Sequence, residues 1–264
     1  MNKIFAVANQ KGGVGKTTTC VNLAASLVAS RQRVLLIDLD PQGNATMGSG
    51  IDKSELQLSV YDVLTSEMDP RKAIVATESG YDVLPANGDL SAAEVELLDM
   101  DARETRLRGA IDRIGDDYDY VVVDCPPSLN MLTVNALCAA NGVLIPMQCE
   151  YYALEGLSAL INTINQIQQV ANPDLKIEGI LRTMYDPRNS LTNDVSEQLT
   201  EYFGDRLYST CIPRNVRLAE APSFGKPALT YDRQSKGAIA YLALAGEMTR
   251  RHAANSRPAV AEAS

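Results

Sequence analysis

The chain has 264 residues, 45% of them apolar, no Trp, and a formal net charge of −9. That length suits one large α/β domain as well as two small ones, and the apolar content is enough for a full core. No run of eighteen or more apolar residues offers a membrane span. Five cysteines, odd in number and without C-x-x-C spacing, argue against a disulfide framework or a zinc site and for a reducing, cytoplasmic setting.

An apolar run over residues 4–8 predicts the first strand, and residues 18–29 predict a helix. Between them lies Gln10-Lys11-Gly12-Gly13-Val14-Gly15-Lys16-Thr17-Thr18. Strand, glycine loop and helix form the context of a phosphate-binding loop. Glycines let successive backbone N–H groups face one concavity, and the helix N-terminus adds positive potential. Lys16 is expected to reach the β/γ-phosphates of a nucleoside triphosphate, and the Thr17 hydroxyl to complete a Mg²⁺ shell. The loop departs from G-x-x-x-x-G-K-[ST]: Gln10 replaces the first glycine, and a second lysine, Lys11, follows it. A flexible cation there could reach a phosphate bound in another subunit, as an arginine finger does.

A second apolar run, residues 34–39, completes a parallel β-α-β unit and ends in Asp38-Leu39-Asp40-Pro41-Gln42-Gly43. Carboxylates at a strand's C-terminal end stand where open α/β sheets bind ligands. Asp40 is the candidate to orient or activate the attacking water; Asp38 reads equally as a helper or a cap. Residues 45–115 read as helices, notably 89–100 and 102–114, around one strand at 81–84. The run Tyr120-Val121-Val122-Val123-Asp124 predicts a buried strand delivering a Walker B carboxylate, Asp124, toward the metal. Pro126 and Pro127 stiffen the segment beyond that strand.

Strands are then expected at 142–147, 177–184 and 207–212, and helices at 152–170, 191–203 and 236–250. The alternation predicts a single doubly wound, mostly parallel sheet with helices on both faces. One ATPase domain is expected over residues 1–251, and a disordered tail over 252–264. The charge is uneven: residues 1–175 hold 12 Lys/Arg against 23 Asp/Glu, whereas residues 176–251 hold 11 against 9. A cationic face on the last third is therefore compatible with an acidic whole.

The segments 11–18, 38–46, 124–128, 148–157 and 212–223 together resemble the ParA/Soj branch of the deviant Walker A ATPases, across about residues 2–250. The resemblance implies a Mg²⁺-dependent ATPase that forms a sandwich homodimer around two ATP molecules, with Lys11 on the partner's phosphates. It implies DNA binding without sequence preference, at the bacterial nucleoid. It also implies a ParB-like centromere-binding partner that stimulates hydrolysis during chromosome or plasmid segregation. By residue, it implies phosphate contacts from Lys11 through Thr18, metal contacts from Thr17 and Asp124, and hydrolysis through Asp40. Pro213 and Asn215 fall at adenine positions, and Arg188 and Arg217 at DNA positions.

The alternative within the family is a MinD-like positioning ATPase on a membrane. It would need an amphipathic C-terminal helix with bulky apolar residues and lysines, whereas this chain ends polar and Ala-rich. An electron carrier would need paired cysteines for a shared cluster, and only Cys125 lies near Asp124. GTP is disfavoured by the absence of Asn-Lys-x-Asp.

Overall fold

The computed structural model describes residues 3–151 and 153–255. Seven strands form one sheet: β1 (Lys3–Val7), β2 (Val34–Asp38), β3 (Val75–Ala76), β4 (Asp82–Leu84), β5 (Tyr120–Asp124), β6 (Gly142–Gln148) and β7 (Lys176–Thr183). Their spatial order is β3-β4-β2-β5-β1-β6-β7, and every pair is parallel except β3 with β4. The central strands are continuous apolar runs because helices cover both faces.

The two faces divide the core by the strand period of two. Ile4 and Ala6 of the first strand, and Ala8 just beyond it, point into one buried cluster, with Leu132 and Ala136 of the helix Met131–Ala139. Phe5 and Val7 point into the other, with Leu23 and Leu27 of the helix Lys16–Ala29 and Tyr241, Leu244 and Met248 of the helix Lys236–Asn255. The final helix therefore spends its apolar side on the core.

Several boundaries differ from the sequence expectation. Residues 207–212 do not form a strand; they meet β7 at a single bridge, Leu207 with Ile180, and through the amides of Tyr208 and Ile212, which donate to the Ile180 and Arg182 carbonyls. The expected helix over 102–114 is confined to Arg106–Asp112, because Ala102 takes a left-handed φ of 52°. The expected helix over 89–100 runs only from Leu90 to Glu96 before tightening into a 3₁₀ turn. The final helix continues through Asn255, four residues into the expected tail. There His252 is buried, bonding Glu178 at 2.8 Å and the Tyr120 hydroxyl at 3.1 Å while stacking on Phe5. The remainder of that tail, 256–264, lies outside the described residues.

Candidate functional site

All the predicted phosphate and metal residues gather at the carboxyl ends of the central strands. β1 feeds the glycine loop, β2 ends at Asp38 and β5 at Asp124, with Asp38 and Asp124 directly paired in register. Gly12, Gly13, Gly15, Lys16, Thr17 and Asp40 line one cleft, joined by Asn44, Pro127 and Met184. Gly13 and Gly15 have φ of 74° and 88°, a region that side chains other than glycine's resist. A Cβ on Gly12 or Gly13 would meet nothing within 4 Å, so these two glycines face open space where a phosphate could lie.

Lys16 is 8% exposed, and its ammonium curls back to the Lys11 carbonyl at 3.3 Å. Lys11 points away: it is exposed and pairs with Glu150 at 2.5 Å. Asp38 is fully buried and organises the segment after β2. It accepts from the Asp40 amide at 3.1 Å and from both the amide and hydroxyl of Thr46 at 2.8 Å. Thr46 in turn accepts from the Ala86 amide at 3.0 Å. Asp38 thus acts as an interior clamp, and Asp40, half-buried beyond it, accepts from the Gln42 amide at 3.0 Å while its side chain faces the cleft.

Asp124 is fully buried too. Cys20 donates to its Oδ1 at 3.4 Å, but Oδ2 has no hydrogen-bond partner among the described residues. Burial, then the neighbouring Asp38, pushes the Asp124 carboxyl well above the usual range, and the Thr17 hydroxyl and Cys20 thiol pull the other way. Burial likewise pushes Asp38 up, against the opposing bonds from Thr46. A buried carboxylate oxygen left without a donor is what a cation would satisfy. No group of three or more His, Cys, Asp or Glu side chains could hold a metal among the described residues. The donors present, a hydroxyl and a carboxylate beside a phosphate cleft, fit Mg²⁺, which keeps several waters and shares its shell with phosphates.

A second, mostly apolar cavity of about 170 Å³ adjoins the loop, lined by Gly15, Thr18, Ile212, Pro213, Asn215 and Tyr241 among others. Its depth beside the phosphate cleft suits a nucleoside. Asn215 has a further task, since its Oδ1 caps the helix Val216–Glu220 by accepting from Leu218 at 3.3 Å. Arg188 and Arg217 lie exposed on the surface and each is paired within the chain. Arg188 grips Asp186 through Nε and Nη2, at 2.9 and 2.8 Å; Arg217 bonds Glu220 at 2.8 Å and Asp232 at 3.2 Å.

Sequence reasoning missed the residues that brace the loop. Asn9 accepts from the Lys11 amide at 3.0 Å and donates to the Pro146 carbonyl at 2.8 Å. Gln148 and Thr183, at the ends of β6 and β7, donate to loop carbonyls. A polar side chain ending an apolar strand is the signal that could have found Gln148 and Thr183, as it found Asp38 and Asp124.

Residues 2–177 match the family model described as an AAA domain. The chain is 54% identical to the sporulation initiation inhibitor protein Soj of Bacillus subtilis, covering 94% of this chain and 98% of that protein. It is 51% identical to the chromosome partitioning protein ParA of Myxococcus xanthus, over 95% of this chain and 89% of that one. A solved structure of cobyrinic acid a,c-diamide synthase from Mycobacterium smegmatis with bound ADP and magnesium superposes with a TM-score of 0.86. It is 41% identical and covers 97% of both chains.

Proposed function

The chain belongs to the ParA/Soj family of chromosome-partitioning ATPases, and from that premise we propose that it is an ATP-dependent dimerising switch acting on DNA. With ATP bound, two chains would close face to face and bind double-stranded DNA without sequence preference. Hydrolysis, stimulated by a ParB-like protein at its centromere sites, would release them. The observation that carries this reading is a single cleft in which the glycine cradle meets Lys16, Thr17 and Asp40, with the orphaned oxygen of Asp124 buried at the end of the neighbouring strand.

Each residue has a task suited to its surroundings. The loop amides and Lys16 bind the β- and γ-phosphates, with Lys16 needing only to swing from the Lys11 carbonyl. Thr17 and Asp124 would hold Mg²⁺, which would supply charge to offset that of the phosphates. Asp40, facing the cleft from a segment clamped by Asp38, orients the attacking water and accepts its proton. Lys11 leaves Glu150 to reach the partner's nucleotide on dimerisation. Such an exposed pair holds little net energy, so the exchange has a low barrier. Pro213 and Asn215 border the base.

Arg188 and Arg217 would face DNA phosphates, since sequence-blind binding needs cations rather than base-reading side chains. A MinD-like membrane role is less well served by the final helix, whose Tyr241, Leu244, Ala245 and Met248 are buried and which leaves Ile239 as its exposed large apolar side chain. Among the described residues no helix is long and apolar enough to cross a membrane. Amide transfer through a thiol nucleophile would need a thiol activated by a base. Here burial pushes all five thiols up, and the single histidine bonds Glu178 and Tyr120.

The test is binding to a random-sequence duplex with ATP, with ADP and without nucleotide, at two salt concentrations. Salt-sensitive binding with ATP alone is the expected result. No binding in any state, with the ATP dimer confirmed by sedimentation, would overturn the DNA role.

A further inference from the structure

We propose that Thr183, assisted by Gln148, is a positioning residue for catalysis: the two side chains aim the loop's amides at the nucleotide's phosphates. The inference rests on the reading of the loop as the ATP site. β6 and β7 run in register so that Gln148 lies beside Thr183, and paired residues of adjacent strands share a face. From that shared edge the buried Thr183 hydroxyl donates to the Val14 carbonyl at 2.8 Å, and the Gln148 amide donates to the Gly13 carbonyl at 3.2 Å.

The consequence follows from peptide geometry. The described residues contain no cis peptide bond, and across a trans peptide the C=O and the next N–H point in opposite directions. Holding the Val14 carbonyl toward β7 therefore turns the Gly15 N–H away from it. Holding the Gly13 carbonyl toward β6 does the same for the Val14 N–H. Among the described residues neither N–H donates a hydrogen bond, although Val14 itself is 1% exposed.

Two backbone donors in succession without a partner in the chain form a concavity suited to an anion. Thr183 also backs the loop sterically, its methyl lying 3.9 Å from where a Gly15 Cβ would stand. Without these two anchors the glycines, free in φ, could rotate their carbonyls toward the phosphates.

The test is a competition titration of the full chain with Mg²⁺ against a fluorescent ADP analogue, using ADP and adenosine as competitors. Thr183→Val keeps the shape and removes the donor. It should weaken ADP about fivefold to tenfold, the scale of one net hydrogen bond, and leave adenosine unchanged. Thr183→Ser should stay within about twofold of the parent, because the hydroxyl returns. Gln148→Met, removing the longer and more exposed bond, should weaken ADP about twofold to threefold, again without touching adenosine; it keeps the test decisive if Thr183→Val does not fold.

Equal losses for ADP and adenosine would make these residues packing groups of the nucleoside cavity and overturn the proposal, as would unchanged ADP affinity. Lys16→Ala run in parallel separates the two levels. If it too leaves ADP binding intact, the ATP-site reading itself has failed.

Discussion

Asp124 is stripped of water and faces Asp38, a second buried acid, so without a cation its charged form is disfavoured. The sign of the resulting pH dependence is fixed. Both carboxyls have folded-state pKa values raised above the unfolded value, so the folded chain binds more protons than the unfolded chain in the window above about pH 4. Stability without nucleotide should therefore fall as pH rises from about 4, by up to about 1.4 kcal/mol per pH unit for each group, the Asp38 contribution running out near its folded value of about 6 and that of Asp124 near about 8. Asp124→Asn removes the larger of the two effects. Urea melts at pH 5 and pH 7.5 should show a flatter dependence for the variant and, without nucleotide, a more stable chain at the higher pH. A parallel slope would mean that Asp124 titrates normally. The same substitution should weaken Mg²⁺-dependent ATP binding, since an amide oxygen is a poorer partner for a divalent cation. Asp40 makes the opposite case, being half-buried and poised at the cleft rather than sealed beneath it. Asp40→Ala should bind ATP with nearly parental affinity and lose turnover by 100-fold or more, the usual scale for a positioned base, trapping the dimer. Parental turnover in a phosphate-release assay would remove Asp40 from the hydrolytic step.

At the scale of elements, the nucleoside cavity and Arg217 depend on the short helix Val216–Glu220 being seated on the final helix. Gly237 makes that seating possible: a Cβ there would stand 2.5 Å from Leu218 Cγ and 2.8 Å from its Cδ1. Gly237→Ala must displace the Leu218 side chain, and is expected to press the short helix outward with Asn215 and Arg217. The expected loss is about 1–3 kcal/mol of stability, typical of overpacking, with adenosine and ADP binding weakened together. Unchanged nucleotide affinity would show that the helix can shift without disturbing the cavity. Sequence alone could not reveal this contact, which joins residues 19 positions apart through a missing side chain. What it did reveal were features written locally. The glycine loop between an apolar run and a helix, and the strands ending in Asp38 and Asp124, each follow from spacing within about ten residues. The failures arose where tertiary context decided. Residues 207–212 are rich in strand-forming types, but Arg182 reaches across to the Tyr208 carbonyl and Glu247 takes the amides of Ser209 and Thr210, so no continuous ladder forms. The expected helix over 102–114 begins late because Ala102 adopts a left-handed turn that its residue type does not announce. Gln148 and Thr183 looked like ordinary strand ends until the register set them side by side under the loop.

For the molecule as a whole, the proposed DNA role sets an acidic chain a charge problem. The formal net charge of −9 repels a phosphate backbone, and the acids concentrate in residues 1–175. Within one chain both candidate DNA cations are already neutralised, Arg188 by Asp186 and Arg217 by Glu220 and Asp232. These exposed pairs screen each arginine from distant phosphates yet hold it only weakly. A single chain should therefore bind DNA poorly, whereas a dimer that presents two copies of each arginine along one face lets the phosphates compete as a set. The salt dependence measures this. Removing one arginine–phosphate pairing should reduce the slope of log K against log salt by about 0.9 for duplex DNA. Arg217→Glu, removing one such pairing per chain, should flatten the ATP-state slope by about 1.8, since two chains contribute, while sedimentation shows the ATP dimer intact. Asp186→Ala tests the same logic with the opposite sign. Releasing Arg188 from its carboxylate should strengthen DNA binding with ATP and leave the ADP state non-binding. If Asp186→Ala instead weakens binding, the pair is holding Arg188 in its working orientation rather than competing with DNA. Unchanged affinity in both variants would move the DNA face elsewhere on the cationic last third of the chain.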